Sequence, residues 1–244
     1  VTYSDITQNY VTTHVVIGND IATRTDETLI EDIKDSEIFE DSVKVIDTNI
    51  PDLNKEITFY NKELTEETKL LLSNKINQSK SFLKENSDLF SEWLYLGVNY
   101  KIAGDYESAR DVWEYASIIR PQNSVSFSNL GDLYHYYLKD FPKAEQNLRT
   151  AIENDKQNIG AYTALYELYK YSYKQNTTLV TDILFEGLKE NPDNTDLLIT
   201  LSVYHKEKED TTNAKMYYEQ ARNKAKKLKN TQLVELLDEE ILKL

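Results

Sequence analysis

The chain has no cysteine. Disulfide frameworks, thiolate metal sites and cysteine nucleophiles are therefore excluded. Glycine and proline are scarce as well, 6 and 4 among 244 residues, and so few breakers favour long helices over a turn-rich sandwich. No apolar run reaches the ~18 residues that a membrane span requires, so no span is expected in this chain. There is no Gly-rich phosphate loop and no GxSxG elbow. The three histidines, His14, His135 and His205, lie far apart without a second ligand at helical spacing, which argues against a zinc site. The stretch from Asp47 to Asp52 lacks the Gly and the closing Glu of a calcium loop. With neither a catalytic constellation nor a cofactor motif, a non-enzymatic protein without cofactor or metal is expected. Positive charge is also short: 28 Lys and Arg against 42 Asp and Glu give a net charge of −14. Such a chain repels phosphate backbones, so nucleic acid is not expected as a partner, and the acid excess serves solubility. The chain begins at Val1, not Met. It reads as trimmed, with a lean towards an extracytoplasmic or membrane-anchored origin and the cytoplasm as the other possibility.

What is present is a repeat. Trp93, Leu96, Gly97 and Tyr100 are followed 34 residues later by Phe127, Leu130, Gly131 and Tyr134. Ala109, Trp113 and Ala116 return as Ala144, Leu148 and Ala151 after 35, so one residue is inserted near His135 to Lys139. A third copy starts with Tyr162, Leu165 and Tyr169 and closes with Leu184, Gly187 and Pro192, its inner connection lengthened around Ser172 to Thr178. A fourth runs from Leu198 and Leu201 through His205 to Ala214, Tyr218 and Ala221.

The residue types have physical reasons. Apolar positions recur every three or four residues, as on one stripe of a helix. Gly97, Ala109 and Ala116 let two helices approach, and Trp113 fills the space between them. Gly104 tolerates positive φ and Asp105 can cap the next helix. Pro121 stops the second helix. His205 takes the place of Tyr100, Tyr134 and Tyr169, which reads as packing.

This pattern over residues 90–228 resembles the tetratricopeptide repeat family. The resemblance implies an all-α, right-handed solenoid of four helix pairs, at 90–123, 124–158, 159–194 and 195–228. An end helix at 65–86, capped by Thr65, and a closing helix at 230–244, capped by Thr231 and striped by Leu233, Leu236, Leu237 and Ile241, would cover its ends. Residues 1–64 form a separate extended or small α+β region, partly a tether. Within it, 10–18 reads as a strand, 26–41 as an acidic helix, and 42–47 with 55–61 as a hairpin.

In this family, the first helices of successive pairs line a concave groove for peptides. Here that implies Tyr95, Val98 and Ile102 from the first pair, Asn129, Asp132, His135 and Tyr136 from the second, Glu167, Lys170 and Tyr171 from the third, and Val203 with Lys206 from the fourth. Leu94 and Val98 stand where some members carry a Lys and an Asn that grip a terminal carboxylate; only Asn129 fits that scheme. The expected function is a scaffold binding a protein or peptide segment. The alternative is a structural subunit of a cell-surface or envelope assembly, self-associating through its N-terminal region. The basic run at 221–229 reads as complementing a helix C-terminus.

Overall fold

The structure is a computed structural model that describes the strands Val15–Ile17 and Asp20–Ala22 and residues 50–244 except Asn176. The chain divides into two units, Val1–Ile50 and Pro51–Leu244. In the first, strand β1 (Val15–Ile17) pairs antiparallel with β2 (Asp20–Ala22), Val16 opposite Ile21. The strand expected at 10–18 is thus present in part. The acidic helix expected at 26–41 and the hairpin arm at 42–47 lie outside the described residues.

Among its described residues the second unit is a succession of ten α-helices. They are α1 (Glu66–Glu85), α2 (Phe90–Ala103), α3 (Tyr106–Ile119), α4 (Ser124–Leu133), α5 (Phe141–Asn154), α6 (Ile159–Glu167), α7 (Leu179–Glu190), α8 (Thr195–Glu207), α9 (Thr211–Lys227) and α10 (Thr231–Leu242). The described part of this unit is an all-α solenoid in which α2, α4, α6 and α8 are first helices of pairs and α3, α5, α7 and α9 their partners.

Capping is nearly uniform because the sequence places a short polar side chain before most helices. Thr65 accepts from the Thr68 amide, Asp105 from Ser108, Asp140 from Lys143 and Asp210 from Asn213. The closing helix is capped by Asn230, one residue before the Thr231 expected, since the Asn230 side chain reaches the Leu233 amide at 3.1 Å.

Two first helices end in a π-helical turn, Tyr134–Leu138 after α4 and Leu168–Ser172 after α6. These are the repeats that carry extra residues between their helices. A wider helical turn takes up the added residue. The closing hydrogen bond survives: the Asp105 amide donates to Tyr100 O, and the Asp140 amide to Tyr134 O, both at 3.0 Å, although the second loop is one residue longer.

The core runs continuously from Ile76 through Trp93, Trp113, Leu130, Leu148, Tyr162 and Leu184 to Leu201. A smaller cluster of Leu198, Tyr218, Ala221 and Leu237 seats α10. Leu236, expected on the buried stripe of α10, is 53% exposed, because Leu237 alone of this helix is fully buried. Close approach is enforced by glycine: a β-carbon on Gly131 would sit 2.5 Å from Leu148 Cγ.

Polar links tie each pair to the next. The Tyr134 hydroxyl donates to Glu114 of α3, and the Tyr169 hydroxyl to Glu145 of α5. The Arg and Glu one turn apart exchange places between these pairs, Arg110 and Glu114 against Glu145 and Arg149, yet each tyrosine finds the carboxylate. At the loop edge, the Asn154 amide donates to Pro121 O and the Asn191 amide to Lys156 O, both at 2.9 Å. In the basic run, Lys224, Lys226 and Lys227 lie in the last turn of α9, where Lys224 pairs with Asp193, and Arg222 pairs with Asp238 at 2.8 Å.

The segment 51–64 departs from expectation. Residues 55–61 form no strand among the described residues. They run extended over the helices as a strap, belonging to the helical unit, which starts at Pro51 and not at residue 65. Leu53 and Ile57 pack on the main core. The Tyr60 and Asn61 amides both donate to Ala103 O, at 2.9 and 3.0 Å, satisfying a carbonyl that the end of α2 leaves open.

Candidate functional site

The row of first helices presents two kinds of side chain. One kind is apolar or aromatic and exposed. Tyr95, Val98 and Ile102 on α2, Tyr136 and Tyr171 in the two π-turns, and Val203 on α8 are between 37% and 59% exposed. Their spacing on α2, three and then four residues, is that of one helix face.

The other kind is polar, and these side chains are already coupled across the row. Lys101 of α2 pairs with Asp132 of α4. The Tyr136 hydroxyl donates to the Glu167 carboxylate of α6. Lys170, after α6, pairs with Glu207 of α8 at 2.5 Å, and Lys206 with Glu240 of α10 at 2.8 Å. Each link joins one first helix to the helix standing in the next first position. Burial, then the bond to Glu167, raises the Tyr136 pKa. Burial alone would lower Lys170, but its bonds to Glu207, Tyr166 and Tyr171 raise it overall. Its ammonium lies 4.8 Å from the centroid of the Tyr171 ring and 5.3 Å from that of Tyr166.

His135 differs from the sequence expectation of a groove residue. It is buried, 2% exposed, because the π-turn rotates it inward. Its Nε2 lies 2.9 Å from Ser172 Oγ, so one π-turn touches the other, while Nδ1 has no hydrogen-bond partner among the described residues. The Tyr136 ring stands 4.0 Å away, centroid to centroid. Burial lowers its pKa, and Lys139 adds to this. His205 is a packing residue, as expected: Nδ1 meets Asp210 at 2.9 Å and the ring stacks on Tyr217 at 5.5 Å.

Three of the sequence-derived residues, Val98, Ile102 and Asn129, come together in a cleft of about 820 Å³. Its other walls were not foreseen. Tyr60 to Glu63 of the strap form one side, and Tyr106 and Tyr137 another, with their rings 4.5 Å apart. Tyr137 belongs to the Tyr-rich stretch at 134–137, a compositional signal for it. Nothing in the sequence announces Tyr60, which reaches the cleft through backbone contacts some forty residues distant. Glu167, Lys170 and Tyr171 lie further along the row. A second cleft, of about 450 Å³, lies between the strap and α1, at Lys55, Ile57, Ser73 and Lys80. Among the described residues, no group of three or more His, Asp or Glu side chains is placed to hold a metal, and no helix is long and apolar enough to cross a membrane.

No family model matches the sequence, and no curated protein is significantly similar to it. Solved structures are similar in fold. MamA superposes with a TM-score of 0.54 at 18% identity, covering 68% of this chain and 95% of that one. YrrB, described as a TPR protein with an unusual peptide-binding site, gives a TM-score of 0.50 at 17% identity, covering 73% of this chain and 87% of its own. The helical unit therefore has the tetratricopeptide-repeat fold.

Proposed function

We propose that this chain is a non-enzymatic scaffold that binds a peptide or protein segment along its row of first helices. The observation that carries this reading is the division of labour on that face. Lys101 and Asp132, Lys170 and Glu207, and Lys206 and Glu240 are spent on one another, while exposed aromatic and aliphatic side chains recur on α2, at the two π-turns and on α8. Tyrosines with a rigid apolar body and a polar tip are effective contact residues. The likeness in fold to YrrB, whose description names a peptide-binding site, supports the same reading. The partner's backbone and apolar side chains would supply the contacts, with no ionic grip on a terminal carboxylate.

A pull-down from the native source tests this, comparing the natural chain with Tyr136→Ala and Tyr171→Ala. Loss of a specific partner in both variants is the expected result. Unchanged recovery of every partner counts against this face.

A further inference from the structure

We propose that the strap is a working wall of the binding face. With Val98, Ile102 and Asn129 it forms a cleft for an uncharged, apolar side chain of an extended peptide, and the buried Lys80 positions that wall. This rests on the reading of the chain as a peptide binder, and it names the anchor and the device that builds its seat.

The chemistry of the anchor follows from what is free in the cleft. Lys101, one of two lysines that line it, is paired with Asp132 and lies 5.0 Å from the centroid of the Tyr137 ring. Val98 and Ile102 are exposed, and Tyr60 and Tyr137 offer ring surface. The Asn129 amide lines the cleft and makes no hydrogen bond within the described residues, so it can meet a peptide backbone. Lys62 and Glu63, neighbours on the strap side, are exposed and opposite in charge, so a charged anchor would lose water for little net attraction there. An aromatic or branched aliphatic side chain loses nothing of the kind.

The strap's place is set at two points. At one end, the Tyr60 and Asn61 amides hold Ala103 O, and the Asn61 side-chain amide donates to Ile102 O at 3.2 Å. A β-carbon on Gly104 would stand 2.7 Å from Asn61 N, so the strap needs a glycine beneath it. At the other end, Lys80 is 5% exposed and its ammonium donates to the Lys55 carbonyl. Lys55 in turn reaches Ser108 Oγ at 2.6 Å and Asp105 at 3.6 Å. A lysine kept in the interior at the cost of desolvation, bonded to the strap's backbone, is a latch that no helix–helix contact explains.

The test uses the full chain and blocked pentapeptides Ac-Ala-Ala-Xaa-Ala-Ala-amide, with Xaa as Phe, Leu, Lys or Glu, read by amide chemical shifts. The Phe and Leu peptides are expected to move Asn61, Val98, Ile102 and Asn129, and the Lys and Glu peptides to leave them in place. Ile102→Ser, at an exposed position, abolishes the effect. In Lys80→Met the strap amides from Glu56 to Asn61 move away from their native shifts while those of α6 and α8 stay, and the Phe peptide binds several-fold more weakly. Should that variant not fold, Tyr60→Ala, also exposed, gives the same weakening. Equal or stronger shifts from the Lys or Glu peptide overturn the anchor. Native strap shifts and native affinity in Lys80→Met overturn the latch. Shifts confined to Tyr136 and Tyr171 overturn the cleft and leave the scaffold reading standing. Absence of any shift also overturns the cleft, and the pull-down alone then judges the scaffold.

Discussion

Gly97 lies directly against Trp113: a β-carbon at residue 97 would stand 2.2 Å from the indole Nε1. That nitrogen donates to Leu94 O at 3.1 Å, so the ring cannot turn away freely. Gly97→Ala should cost about 1–3 kcal/mol by overpacking, read as a lowered urea midpoint. Gly160→Ala is the control, because its nearest contact would be 3.4 Å. It should lie within about 1 kcal/mol of the natural chain, on the stabilising side, since alanine is the better helix former.

Two buried tyrosines should respond oppositely to loss of the hydroxyl. Tyr162 Oη is buried without a hydrogen-bond partner among the described residues, so Tyr162→Phe removes an uncompensated polar group and should be neutral or stabilising. Tyr169 donates to Glu145 at 2.5 Å, and its pKa is pushed up to about 12 by burial and then by that carboxylate. Tyr169→Phe should cost about 1.5–3 kcal/mol, the range for a bond to a charged group. Denaturant unfolding of the two single variants checks the contrast.

His135 should make stability fall in mild acid. Its folded pKa lies below the usual 6.5 because it is buried and near Lys139; Glu167 and Asp132 oppose this in part. The unfolded chain therefore takes the proton first. The contribution is complete above pH 6.5 and is lost as pH falls towards the folded value. The urea midpoint should drop between pH 7 and pH 5, and His135→Gln should flatten that drop. An equal slope in both proteins would refute the assignment.

A second acid window belongs to α10. Its Glu240 has its pKa lowered from 4.5 to about 2 by hydrogen bonds to Lys206 and Lys243. The depressed carboxylate favours the docked helix above pH 4.5, and that contribution fades as pH falls from 4.5 towards 2. Amide exchange in α10 should accelerate there before exchange in α3 or α5, and Lys206→Met should remove part of the difference.

The helix pairs were legible because their determinants are local: Trp93 with Gly97, Ala109 with Trp113, Asp105 ahead of Ser108. The inserted residue near His135 was legible as well, but its form was not. A longer loop and a π-turn have the same sequence length, and only the turn buries His135 against Ser172. The strap was misread as half of a hairpin, since the alternation in "KEITFYN" is that of any extended segment with one face inward. What it pairs with, Ala103 O and the Lys80 ammonium, is fixed by packing between distant residues. On the candidate face, the identities of Asp132, Glu167 and Lys170 were readable, whereas their partners Lys101, Tyr136 and Glu207 depend on how one pair is stacked on the next.

The small cluster around Leu198 and Leu237 has a mechanical consequence. With a single fully buried residue, α10 is held by little besides that cluster and its ion pairs. A load applied at Leu244 would peel this helix away and spare the continuous interior from Ile76 to Leu201, so the last helix can yield without loss of the other helix pairs.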